Sequence, residues 1–221
     1  MKTFQLEATP REDLGKKAAK ALRKEGQIPV VLYGNEPVAL PYEGKAGKGE
    51  KIIEISNNRA IIVTDLTVTK EAVRKLIYTP EIFLVELNFN SKKVYAILKD
   101  IQFHPVSDEI LHIDFLEVFE KKPVEIDVPV VLEGHSVGVK AGGKLNLEMR
   151  KLKVKAPYKD VPEKLVINID DLGLGKTIQV GELHFEGLEL MNAKNSVVCA
   201  VKLTRAARGA QAAAASTPPG K

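Results

Sequence analysis

The chain has 221 residues, with 33 Lys plus Arg against 29 Asp plus Glu, one Cys and no Trp. No stretch approaches the roughly 20 apolar residues of a membrane span, and a single cysteine excludes an internal disulfide or a cysteine-cluster metal site, so a reducing cytoplasm is the expected compartment. The net charge of +4 names no partner by its size, but it is concentrated: residues 11–24 hold Arg11, Lys16, Lys17, Lys20, Arg23 and Lys24 against only Glu12 and Asp13.

The opening MKTFQLEATPRED lacks the apolar run of a secretory signal. Within it TFQLEA, residues 3–8, alternates Phe4, Leu6 and Ala8 with polar neighbours, the period-2 pattern of a half-buried strand. GKKAAKALRKEG, from Gly15 to Gly26, reads as a glycine-bounded helix. Leu14, Ala18, Ala21 and Leu22 are spaced to form its apolar face, and Lys16, Lys20, Arg23 and Lys24 share another. QIPVVLYG follows as an apolar strand, with Pro29 at a strand entry or edge, and PYEGKAGKGEK, residues 41–51, reads as a Gly- and Lys-rich loop. IIEIS and RAIIVT are short strands, and TKEAVRKLIY is a helix capped by Thr67 or Thr69. EIFLVELNFN and KKVYAILKDIQF form a hairpin across NSKK, and LHIDFLEVF closes the unit. Strands with two helices and no regular βαβ alternation predict a small barrel-like domain.

Beyond about residue 121, VEIDVPVVLEG, KLNLEMRKLKVKAP, KLVINID, KTIQVGEL and NSVVCAVKL read as short strands between Gly, Pro and Asn turns, a second, largely β domain. The fold class is therefore mainly β with a few helices (α+β). The divisions are 1–117, 118–205 and an Ala-rich tail, 206–221, whose composition is that of a disordered segment.

Several segments carry possible chemistry. Four cations on one helical face are either a solvated surface or a grip on a phosphate backbone; like charges at i,i+4 repel, and phosphate contact relieves them with release of counterions. Tyr33 can stack on a base or cap the core. In QFHPVSDEILHIDF, His104, His112 and Asp114 are residue types of metal and acid–base sites, yet His104 stands across the Pro105 turn and no third ligand is predetermined. GLGKT at 173–177 looks like the end of a phosphate loop, but Asp170 stands where the leading glycine is required and a strand pattern follows instead of a helix. Cys199 alternates among apolar residues, as a buried inert thiol does.

GKKAAKALRKEGQIPVVLYG, QFHPVSDEILHIDFLEV and VPVVLEGHSVGVKAGGKLN together, in this order, resemble three signatures of the bacterial large-subunit ribosomal protein L-twenty-five family in its long, general-stress form. The resemblance runs from residue 3 to about 203. It implies a structural, non-enzymatic ribosomal protein of the cytoplasm whose N-terminal barrel binds 5S ribosomal RNA in the central protuberance. Its second domain is expected to touch neighbouring ribosomal proteins or other rRNA. No cofactor, metal, membrane or small-molecule substrate is expected. Positions matching the family's RNA contacts are Arg11, Lys16, Lys20, Arg23, Tyr33, Lys99, Gln102, His104, His112 and Asp114. A free RNA-binding stress adaptor is the alternative, and a hydrolase using His104, His112 and Asp114 the outsider.

Overall fold

The computed structural model describes residues 1–34, 38–39, 49–56, 59–120 and 122–204. The chain folds into two units, Met1–Val124 with Pro157–Lys159, and Glu125–Ala156 with the residues from Asp160 onward.

The first unit contains β1 (Lys2–Glu7), β2 (Thr9–Pro10), α1 (Lys16–Lys24), β3 (Gln27–Tyr33), β4 (Val38–Ala39), β5 (Glu50–Ser56), β6 (Arg59–Thr69), α2 (Lys70–Ile77), β7 (Phe83–Phe89), β8 (Lys92–Phe103) and β9 (Ile110–Glu117). Its sheet runs β1-β7-β8-β9-β3-β6-β2, with β4 and β5 also paired to β6. Because β1 and β2 are consecutive, one chain segment supplies both ends of this path, and the sheet curls back on itself in the barrel-like form predicted for this domain. At the joint, the Ala8 amide donates to the Asn88 carbonyl at 3.0 Å. This curling leaves fewer unpaired edges than a flat open sheet would present. Alternate side chains then point inward, where Leu6, Ile28, Val30, Leu66, Val85, Leu87, Ile113 and Phe115 form the buried core.

Local signals account for most joints. Asn90 and Ser91 adopt φ of 48° and 58°, so the β7–β8 turn is this pair, the double left-handed geometry of a tight hairpin, and Lys92 and Lys93 already lie in the strand. Pro29 sits inside the barrel wall, paired to Thr67 of β6, while the pairing of β3 with β9 begins one residue later at Val30. Thr69 occupies the cap position of α2, although its side chain makes no capping bond; Thr67 instead shares a 2.6 Å hydroxyl contact with Thr9. Most of the 41–51 loop lies outside the described residues, and its last two positions, Glu50 and Lys51, belong to β5.

The second unit comprises β10 (Pro123–Glu133), α3 (Val137–Lys140), β11 (Lys144–Leu147), β12 (Lys151–Pro157), β13 (Leu165–Asn168), β14 (Thr177–Gln179), a one-turn 3-10 helix (Val180–Glu182), β15 (Glu189–Leu190) and β16 (Val197–Lys202). Two sheets form, β13-β10-β12-β15 and β11-β16-β14. Three expectations change here. KLNLEMRKLKVKAP is two strands in different sheets, because the amides of Glu148 and Met149 both turn onto the Val198 carbonyl. KTIQVGEL keeps only three strand residues; the Gln179 amide donates to Glu182 Oε2 at 3.1 Å and starts the 3-10 turn. In HSVGVKAGG the hydroxyl of Ser136 accepts from the Val139 amide and caps α3, a helix too short for periodicity to reveal. The 206–221 tail lies outside the described residues.

Candidate nucleic-acid interface

α1 lies on the barrel more loosely than its pattern predicts. None of its residues is buried; Ala18, Ala19 and Leu22 are half-buried, whereas Leu14 and Ala21, both assigned to the packed face, are exposed. The helix is fastened by Arg23, whose Nε and Nη2 donate to the Leu111 carbonyl at 3.0 and 2.9 Å. Two donors of one rigid guanidinium on one acceptor fix orientation, which a lysine cannot do. Arg23 is therefore first an anchor that sets α1 beside the start of β9. Arg11 is likewise committed locally, with Nε donating to the Asp13 carbonyl at 2.7 Å.

Lys16, Lys17, Lys20 and Lys24 are exposed and make no hydrogen bond or ion pair among the described residues. Gly15, at φ 107°, precedes the helix without a side-chain cap, and the first turn holds no acid. The first amides of a helix carry partial positive charge, so Lys16 and Lys17 add cations where the macrodipole already disfavours them. An anion would relieve both.

Next to Arg23's acceptor, His112 and Asp114 project from the outer face of β9. The ladder places Gln102 opposite His112, and Asp100 opposite Asp114; on the other side Val31 faces Asp114 and Asp65 in turn. One row across four strands thus reads Asp100, Asp114, Val31, Asp65. Lys99 is the extra residue of a bulge between Leu98 and Asp100, which leaves it exposed.

Three carboxylates in one row repel, and the surroundings answer only in part. His112 Nδ1 lies 3.1 Å from Asp114 Oδ1, a buried oxygen. Burial pushes the Asp114 carboxyl above its usual range, the attraction of His112 opposes this, and the charge of Asp100 adds to the rise. Lys51 answers Asp65 at 3.0 Å. Burial, then Asp114 and Asp65, push the Tyr33 phenol up, so it stays a neutral donor and acceptor.

The structure thus gathers Tyr33, Gln102, His112 and Asp114 on one outer face and pins α1 to its margin. It does not bring His104 into that set: Nδ1 of His104 accepts from the amides of Val106 and Ser107 at 3.3 and 3.2 Å and stiffens its own turn. A three-residue His/Asp centre is not assembled, and no group of three metal-binding side chains exists among the described residues. GLGKT is a turn with Gly175 at φ 72°, followed by β14. Cys199 is buried, and burial pushes its thiol up. Sequence reading missed Asp65, Asp100, Lys51 and the Leu111 carbonyl; only cross-strand register reveals the two acids, and nothing local marks a backbone carbonyl as an anchor.

The chain is similar to known proteins over most of its length. Residues 6–65 and 56–115 match the family model "Ribosomal L25p family", and residues 123–205 match "Ribosomal protein TL5, C-terminal domain". The chain is 64% identical over 211 residues to a protein of Porphyromonas gingivalis called large ribosomal subunit protein bL25, covering 95% of this chain and 97% of that one. Proteins of the same name from Parabacteroides distasonis and Phocaeicola vulgatus are 62% and 52% identical, covering 96% and 97% of this chain and 99% of each relative.

Proposed function

The chain belongs to the ribosomal L25p family of the bacterial large subunit, and from that premise we propose that it is a structural protein of the cytoplasmic ribosome that binds 5S ribosomal RNA through α1 and the outer face of β3, β8 and β9. The observation that carries this reading is the pairing of free lysines with a fixed scaffold. Lys16, Lys20 and Lys24 have no partner among the described residues, on a helix that Arg23 holds against β9.

Phosphate contacts position a protein on RNA without reading it, while directional groups select the site. The lysines and the uncapped start of α1 suit the first task. For the second, A-form RNA offers ribose hydroxyls and base edges in its shallow minor groove. Asp114, beside His112 at 3.1 Å, keeps acceptor capacity for a ribose hydroxyl or an exocyclic amine. Gln102 and Tyr33 supply both donors and acceptors. Lys99 stands exposed beside this face and suits a phosphate, whereas Arg11 and His104 act through the loop and turn they order.

A chemical footprint of purified protein on 5S rRNA tests the reading. Protection of one bounded helical segment, with affinity falling as salt rises, is the expected result. Binding no tighter than to an unrelated duplex would overturn the choice of RNA, and a soluble pool that never sediments with 50S particles would favour a free adaptor.

A further inference from the structure

We propose that α2 carries a second RNA contact, a ridge of Lys70, Arg74 and Tyr78 flanked by Lys75, which engages the phosphate backbone adjoining the strand held by α1. The proposal rests on the RNA-binding reading above and extends its surface.

α2 packs by Val73 and Leu76, and everything opposite is exposed. Lys70, Arg74 and Tyr78 follow at i, i+4 and i+8, so they line one side of the helix and its end about 6 Å apart. Tyr78 is 61% exposed, a large aromatic surface that contributes nothing to the core and is suited to stacking on a base or ribose. Arg74 and Lys75 make no ion pair among the described residues. Glu71 stands one turn before Lys75, the favourable order for a pair on a helix, and the pair does not form. Only Lys70 is engaged, by Glu109 at 3.1 Å.

Continuity with α1 identifies the occupant. The Lys70 amide donates to the Gly26 carbonyl at 2.9 Å, and Gln27 pairs with Thr69, so the C-terminal end of α1 and the N-terminal end of α2 meet at one end of the barrel. Glu25 ends α1, Glu71 stands in the first turn of α2 and Glu109 engages Lys70, so the cations left unpaired on the α2 side of this junction, among the described residues, are Arg74 and Lys75. A polyanion seated on α1 and extending past Gly26 meets this ridge, and its charge complements both helices. A protein partner would need an acidic surface for the ridge and would not explain the continuity with α1.

The test uses the full chain and full-length 5S rRNA. Arg74→Glu with Lys75→Glu should lower affinity about tenfold near 0.1 M salt and make log K less dependent on log salt by about 1 to 2. Arg74→Gln with Lys75→Gln, helix-compatible at exposed positions, should give the same direction with an unchanged circular dichroism spectrum. Because Cys199 is fully buried, an iron chelate can be placed selectively on Arg74→Cys or on Ala21→Cys. Cleavage from the α2 site should fall on nucleotides adjoining those cut from the α1 site. Cuts from α1 but none from α2, with affinity unchanged in the charge-reversed protein, would overturn this inference and leave the α1 reading standing. No cuts from either site would overturn the RNA reading itself. Normal RNA affinity with crosslinking of α2 to a protein in 50S particles would also overturn the ridge as an RNA contact.

Discussion

The two units treat their polar groups in opposite ways. In the second, several polar groups at its turns and sheet edges are satisfied within the unit. Ser136, buried, donates to the Leu172 carbonyl at 2.5 Å; Asp170 Oδ1 accepts from the His135 amide at 2.7 Å, which holds the Asp170 carboxyl below its usual range. Lys202 lies 2.7 Å from Glu148, a carboxylate that Asn146 also reaches at 2.7 Å. In the first, four lysines of α1 have no partner among the described residues, and three carboxylates share one row. A folded chain gains stability by satisfying such groups, since an unpaired buried polar atom costs about 1–3 kcal/mol. Polar groups left open at one place and closed at another mark where a partner is expected. Substitutions should therefore weaken binding in the first unit and stability in the second.

The largest expected effect separates the two directly. Lys16→Glu with Lys20→Glu should lower 5S rRNA affinity about 100-fold near 0.1 M salt, with a melting temperature close to that of the parent. Lys151→Glu with Lys153→Glu, at exposed positions of β12, should change affinity less than about twofold. Equal losses from both pairs, in filter-binding titrations across salt, would break the comparison.

Gly138 supplies the converse. A Cβ there would lie 2.6 Å from the backbone carbon of Gly173, a contact that only backbone movement relieves. Gly138→Ala should destabilise the second unit by about 1–3 kcal/mol in urea and leave RNA affinity intact. An affinity loss without a stability loss would assign that turn to binding.

Arg23→Lys keeps the charge and removes the two-donor anchor. About a tenfold affinity loss is expected, with faster hydrogen exchange of the α1 amides. Unchanged exchange would mean that packing of Leu22 alone holds the helix.

The smallest effect concerns Asp114. Its folded carboxyl is raised, so the folded state disfavours ionisation: the penalty is absent below the unfolded value of about 3.9 and is present at neutral pH. Asp114→Asn should melt at or above the parent temperature at pH 7, an advantage that disappears below about pH 4, while its RNA affinity falls. A lower melting temperature at pH 7 would show that the contact with His112 outweighs burial and Asp100 together.

Local pattern determined much of this protein. Alternation in TFQLEA placed Leu6 inside, glycines bounded the basic helix, and the cations of residues 11–24 marked the binding candidate. Those signals are short-range because a strand's two faces and a helix's stripe repeat within a few residues. The placement of β1 and β2 at opposite ends of one sheet, the row of Asp100, Asp114 and Asp65, and the anchoring of Arg23 on Leu111 were decided by tertiary structure alone. Each joins segments tens of residues apart, through strand register and backbone atoms that no local period encodes. The same physics separates α1 from α2: both show basic residues in sequence, but only the folded barrel brings Gly26 to Lys70, and so the end of one helix to the start of the other.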